Sequence, residues 1–163
     1  MATAEGFNFD NYLRTLESKD VEKMLAYFAE DVEIYSEDLE QPIRGKGTLR
    51  QFSELAFPVV SKLQIKPLMV LQKGDHLSAL VQSTVSYSGD LDLPGGVHLP
   101  LKGKSAKLNG AFFATLNEEG KFVWIHRVRD TWSAMKQLGI RPEEIDRLQQ
   151  QFQQMQAQAS APA

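Results

Sequence analysis

Cysteine is absent from the chain, which excludes disulfides, thiol nucleophiles and thiolate metal sites together. Histidine is scarce: His76, His98 and His126 are the three imidazoles, and no HxH or HExxH spacing joins any two of them. Neither a metal nor another cofactor is therefore expected. No apolar run comes near the roughly 20 residues that span a bilayer, and the opening MATAEGFNFDNY has no basic region followed by an apolar one. The expectation is a cytoplasmic protein with no membrane partner. Basic residues are scattered apart from Arg127 and Arg129, and the formal net charge is −3, so nucleic acid is not an expected partner either.

What the chain does have is an ordinary globular composition, 42% hydrophobic and 24% charged over 163 residues, enough for one domain with a packed core. Phe9, Tyr12, Leu13 and Leu16 recur at helical spacing up to Ser18. Asp20 then stands as an N-cap before Val21, Met24, Leu25 and Phe28, which predict a second helix ending near Ala29. Val32 to Ser36 reads as a short strand, and the turn residues Gln41, Pro42, Gly45 and Gly47 lead to a third helix carrying Leu49, Phe52, Leu55 and Ala56.

Beyond Pro58 the pattern turns extended, with strands predicted over 62–72, 76–87, 104–116 and 121–130, divided by turns at Gly74-Asp75 and Glu119-Gly120. Helices first and long strands afterwards predict an α+β fold, with three N-terminal helices packed on a curved antiparallel sheet. The Gly- and Pro-rich segment 90–103 reads as a flap near a pocket mouth or as a plain hairpin tip. Trp132, Met135 and Leu138 mark a short helix closed by Gly139. Ile145, Leu148, Phe152 and Met155 form a narrow apolar stripe on a Gln-rich helix after Pro142, facing either the chain's own sheet or a second subunit.

The stretch YLRTLESKDVEKMLAYFAEDVEIYSEDLEQPIRGKG resembles the opening of nuclear transport factor 2-like proteins in spacing as well as residue type. EEGKF followed by HRVRDTWSAMKQLG is similar to the SnoaL-like polyketide cyclase branch. The resemblance implies a cystatin-like, cone-shaped α+β barrel over residues 5–140 that holds one deep pocket. A C-terminal helix over 141–157 and a disordered tail over 158–163 follow from composition outside it.

The family also implies chemistry, position by position. Ketosteroid isomerases place an oxyanion-donating tyrosine where this chain has Tyr12; their base carboxylate falls on Ser36 and their protonated acid on Phe112. The relay of limonene epoxide hydrolases falls on Ser86, Thr84 and Arg127, so neither layout is complete. SnoaL-type cyclases use an acid or base at the last strand, and Asp130 is the nearest match, while Phe113 and Leu116 occupy the region of its histidine partner.

Strand parity separates two faces, and the register of the resembled family implies which of them is the lining. Val123, Ile125, Arg127 and Arg129 face the pocket, with Gln82, Thr84 and Ser86 beside Tyr12, Ser36 and Phe112. Two guanidinium groups suit an anionic or polyoxygenated ligand, unless Arg127 pairs with Glu37 or Asp38. The other face of the last strand carries Phe122, Trp124, His126 and Val128, too apolar for water and a candidate homodimer surface.

Tyr12, Asp130, Asp38 and His126 are the catalytic candidates. Each has a plainer alternative: a packed tyrosine, a helix cap, an exposed turn carboxylate and an interface imidazole. The expected function is an isomerase, cyclase or dehydratase working by acid–base chemistry on a cyclic or polyketide-like small molecule. A ligand carrier or a dimeric interaction module stands as the alternative.

Overall fold

A computed structural model of the chain describes residues 7–37, 39, 41–93 and 97–159. Helix α1 (Phe9–Ser18) starts where the Asn8 side chain accepts the Asn11 N–H at 2.9 Å and ends at Lys19 in the left-handed region. It buries Phe9, Tyr12 and Leu13, as the period of its apolar residues requires. Helix α2 (Val21–Leu25) is capped by Asp20, whose carboxylate accepts the Lys23 N–H at 3.1 Å.

The predicted continuation of this helix to Ala29 is corrected: strand β1 runs over Phe28–Ser36. The Phe122 N–H donates to the Tyr27 carbonyl at 2.8 Å and Phe28 pairs with Phe122, so sheet hydrogen bonds take over backbone that helical period alone would continue. Burial of Phe28, Ala29, Val32 and Ile34 satisfies both patterns, and pairing decides between them.

Strand β2 (Ile43–Arg44) returns antiparallel to β1. Gly45, at φ 81°, then opens helix α3 (Lys46–Ala56), a backbone angle that glycine adopts without a Cβ penalty. After a 3-10 turn at Phe57–Val59 come strand β3 (Val60–Lys73), strand β4 (His76–Tyr87), a small hairpin of β5 (Leu91–Leu93) and β6 (Val97–Leu99), and the long strands β7 (Ser105–Leu116) and β8 (Phe122–Arg129). Helices α4 (Thr131–Leu138) and α5 (Pro142–Ala159) follow.

The main sheet has the order β2-β1-β8-β7-β4-β3. Every pair in it is antiparallel except β1 with β8. It curves around the helices as the expected cone. An aromatic core fills the closed end: Tyr12 lies 4.9 Å from Phe122 and 5.3 Å from Tyr27, centroid to centroid. A second apolar cluster of Leu99, Leu101, Ala106 and Leu138 joins the β5–β6 hairpin and α4 across the open end.

One irregularity resets the last strand. Leu116 pairs with Phe122 and Thr115 with Trp124, so Val123 is an extra residue, a β-bulge. Phe122 is fully buried while Trp124 is 36% exposed. The expectation that Phe122 shares the outer face is thus corrected: Phe122 joins Ile125, Arg127 and Arg129 in the inward set, and Val123 leaves it.

Helix α5 lies against α3 and β6. The side chains of its predicted stripe at Ile145, Leu148, Phe152 and Met155 lie outside the described residues, as does the predicted tail from residue 160 onward.

Candidate functional site

A cavity of about 630 Å³ opens between α1, α3, the concave face of the sheet and α4. Phe9, Tyr12, Leu13, Phe28, Phe112 and Ile125 line its deep end. Leu91 from the hairpin and Ala134, Met135 and Leu138 from α4 line the other. Its walls are mostly apolar, as in small-molecule sites generally.

The polar groups are few and fall in pairs. Arg127 and Arg129 stand two residues apart on the inward face of β8, and both line the cavity. Exposure rises along that face from Ile125, at 1%, through half-buried Arg127 to exposed Arg129. Tyr12, 6% exposed on α1, is close enough to Arg127 for the guanidinium charge to act on its acidity. Burial outweighs that charge and pushes the phenol well above its ordinary range.

Tyr87, at the end of β4, repeats the arrangement: burial raises its pKa and the Arg129 charge partly offsets the rise. Both phenols hold their protons near neutrality and are available as donors. Ser83 and Thr131 also line the cavity. The Ser53 hydroxyl, though on the wall, is committed to the Leu49 carbonyl at 2.9 Å.

The expected site residues divide. Tyr12, Phe112, Arg127 and Arg129 are brought together on the cavity wall. Ser36 is buried and in register with Arg127 but is not on the wall. Gln82, Thr84 and Ser86 are corrected: they face the outer side of the sheet, and Val81, Ser83, Val85 and Tyr87 line the cavity in their place. The Gln82 amide donates to Asn109 at 3.2 Å and Ser86 accepts from Ser105 at 2.8 Å, both at the exposed surface. The alternation of β4 carried this signal, since Leu77, Ala79, Val81, Val85 and Tyr87 are its odd positions.

His126 lies on the outer face, as parity predicts. Its Nε2 is 2.8 Å from Glu37 Oε1, and its ring packs 6.0 Å from Trp124 and 6.2 Å from Tyr35. Asp130 caps α4, accepting the Ser133 N–H at 3.1 Å. Asp38 lies outside the described residues. Among the described residues no carboxylate or imidazole lines the cavity, and no group of three or more His, Asp or Glu could hold a metal ion. No helix among them is long and apolar enough to cross a membrane.

Sequence reading missed Tyr87, Ser83 and the inner face of α4. That face is set by two clasps. The Gln137 side-chain amide donates to the Lys107 carbonyl at 2.9 Å and its oxygen accepts the Lys107 N–H at 2.8 Å. The Lys104 ammonium donates to the Leu138 carbonyl at 2.7 Å. Only a structure shows such pairing, because residues 107 and 137 are remote in sequence.

Comparison with known proteins agrees with the fold. A family model described as a SnoaL-like domain matches residues 9–125. Among solved structures, a candidate polyketide cyclase from Xanthomonas campestris pv. campestris superposes with a TM-score of 0.66 at 19% identity, covering 80% of this chain and 93% of that one. IdmH from Streptomyces antibioticus, another candidate polyketide cyclase, gives 0.61 at 16% identity over 80% and 95%. TerC, co-crystallised with polyporic acid, gives 0.59 at 17% identity over 78% and 92%. At such identities the likeness shows the fold alone. A search of curated proteins finds no match.

Proposed function

The chain belongs to the SnoaL-like domain family, and from that premise we propose that it is a cofactor-independent isomerase, cyclase or dehydratase. Its substrate in this reading is a cyclic or polyketide-like, oxygen-rich small molecule. The observation that carries the proposal is the Tyr12 hydroxyl, held on the wall of an apolar cavity within the field of Arg127.

An enolate or alkoxide forming on a bound substrate gains most from donors that are already in place and shielded from water. Tyr12 supplies the neutral donor and Arg127 the charge. Asp38, two residues beyond Ser36 in the chain, is assigned the acid–base role. Asp130 is assigned to capping and His126 to the outer face. The apolar wall of the cavity suits a ring body, and its two arginines suit acidic oxygens.

Native mass spectrometry of the purified protein, followed by incubation of any retained compound, tests the reading. A cyclic, oxygenated ligand converted to an isomer or to a product short of one water supports it. Recovery of that ligand unchanged favours the carrier reading, which the absence of a carboxylate from the described cavity wall also supports.

We further propose that the protein works as a homodimer through the outer face of the sheet. Met69, Leu80, Ala111 and Val128 stand side by side across β3, β4, β7 and β8, with Phe113 and Trp124 exposed beside them. A second copy is the occupant such a row fits, because a two-fold contact sets the apolar rows against each other and leaves Glu33 and Lys73 at the rim.

A further inference from the structure

Glycine weakens the interior of a strand, because it has more backbone freedom to lose and no side chain to pack. Gly110 nonetheless stands in the middle of β7, between Leu108 and Phe112 on the row that lines the cavity. Its φ is not positive, so the backbone conformation does not call for glycine there, and the reason lies in the space beside it.

Arg129 is the register partner of Gly110 on β8 and Val81 its partner on β4, and both line the cavity. The next pair along is hydrogen-bonded, the Asp130 N–H donating to the Asn109 carbonyl at 3.2 Å. Gly110 and Arg129 are therefore a non-hydrogen-bonded antiparallel pair, the kind in which side chains approach most closely. A Cβ at Gly110 would stand 3.4 Å from Arg129 Cγ and 3.2 Å from the Val128 carbonyl oxygen. The stem of Arg129 thus leans over Gly110 on the concave face of the sheet, in space that a side chain at position 110 would contest.

We propose that Gly110 is a positioning residue for Arg129. Its missing side chain lets the Arg129 stem lie across the cavity wall, so that the guanidinium meets an acidic oxygen of the bound molecule. The preference of the cavity for an anionic ring compound over a neutral one of the same shape then depends on residue 110. This rests on the small-molecule reading of the cavity and deepens it. A guanidinium stays charged and offers five N–H donors, so contacts that it makes elsewhere do not exhaust it.

The test measures, by calorimetry on the full chain, the affinity ratio of 2-naphthoate to 2-naphthamide, an anion and a neutral molecule of nearly the same shape. Arg129→Met keeps an unbranched stem and is expected to lower that ratio by about tenfold, the scale of a hydrogen bond to a charged group. Gly110→Val, whose γ-carbons displace the Arg129 stem, should lower it as far. The double variant Gly110→Val with Arg129→Met should lower it no further, since the two changes act through one group. Gly110→Ala adds a single carbon and should lower the ratio by about threefold, which carries the test if the valine variant does not fold. Circular dichroism confirms the fold of each variant, and cavity volume lost to a new side chain affects both probes alike.

An unchanged ratio in the Gly110 variants overturns the positioning role and leaves the glycine to the close approach of β7 and β8. So does an unchanged ratio in Arg129→Met, or a double variant whose loss is the product of the two single losses. Each of these outcomes leaves the small-molecule reading standing, whereas failure of both probes to bind the unmodified protein overturns both readings together.

Discussion

Tyr12 sits at the meeting of core and cavity, and its two roles separate by substitution. Its ring packs among Phe9, Phe28, Phe112 and Phe122, so Tyr12→Phe keeps the volume and should change stability by less than about 1 kcal/mol. The hydroxyl is what the proposed chemistry uses. Its removal is expected to lower kcat by about 10²- to 10³-fold, read as turnover against an unchanged thermal midpoint.

The same residue makes stability depend on alkaline pH. The folded phenol titrates above its ordinary value of 10.0, so above pH 10 the unfolded chain releases a proton that the folded chain keeps. Stability is therefore full below pH 10 and falls as pH rises beyond it. Urea unfolding between pH 8 and 11.5 should show a smaller alkaline loss for Tyr12→Phe than for the unmodified chain. At this scale the sequence was informative about residue type: Tyr12, Arg127 and Arg129 stood out in it. Tyr87 did not, although it falls on the apolar odd face of β4, because the family register assigned the even positions of that strand to the pocket.

Among the elements, α4 walls one end of the cavity. It covers the open end with Ala134, Met135 and Leu138, and it is seated on β7 by the paired hydrogen bonds of Gln137 to the Lys107 backbone. Replacing Gln137 with Ala removes both and should cost about 1–3 kcal/mol of local stability. Faster hydrogen exchange in α4 would be the readout, while the amides of β7 that pair with β8 keep their protection.

The types and order of the long elements were legible from period and turn residues, and β4 was placed to the residue, while the short strands β2, β5 and β6 lay in segments read as turn and flap. Two features were not. The end of α2 escaped because residues 21–28 satisfy a helical period and also feed a strand whose partner lies at the far end of the chain. The bulge at Val123 escaped because parity counted through it carries Phe122 to the wrong face.

For the whole molecule, the outer face of the sheet sets the expected assembly. Trp124→Glu would place a carboxylate beside Glu33, its register partner on β1, and beside the exposed Phe113. In a two-fold contact this charge meets the contact surface of the other copy, so sedimentation should show a shift from dimer to monomer at micromolar concentration. The far-UV circular dichroism spectrum should stay as in the unmodified protein, since the substitution lies on the exposed face. A monomer in the unmodified protein overturns the homodimer.

The parallel pairing of β1 with β8 also bears on biosynthesis. During synthesis β1 leaves the ribosome long before the strand it must lie against, and its other neighbour, β2, is two residues long. The aromatic residues of α1 and β1 wait beside it for Phe122. Pairing over such separation is slow, because the loop between must close before any contact rewards it. The β1–β8 pairing and the aromatic packing on Phe122 therefore cannot form until β8 has been synthesised, which makes the closing of this core a late event in biosynthesis.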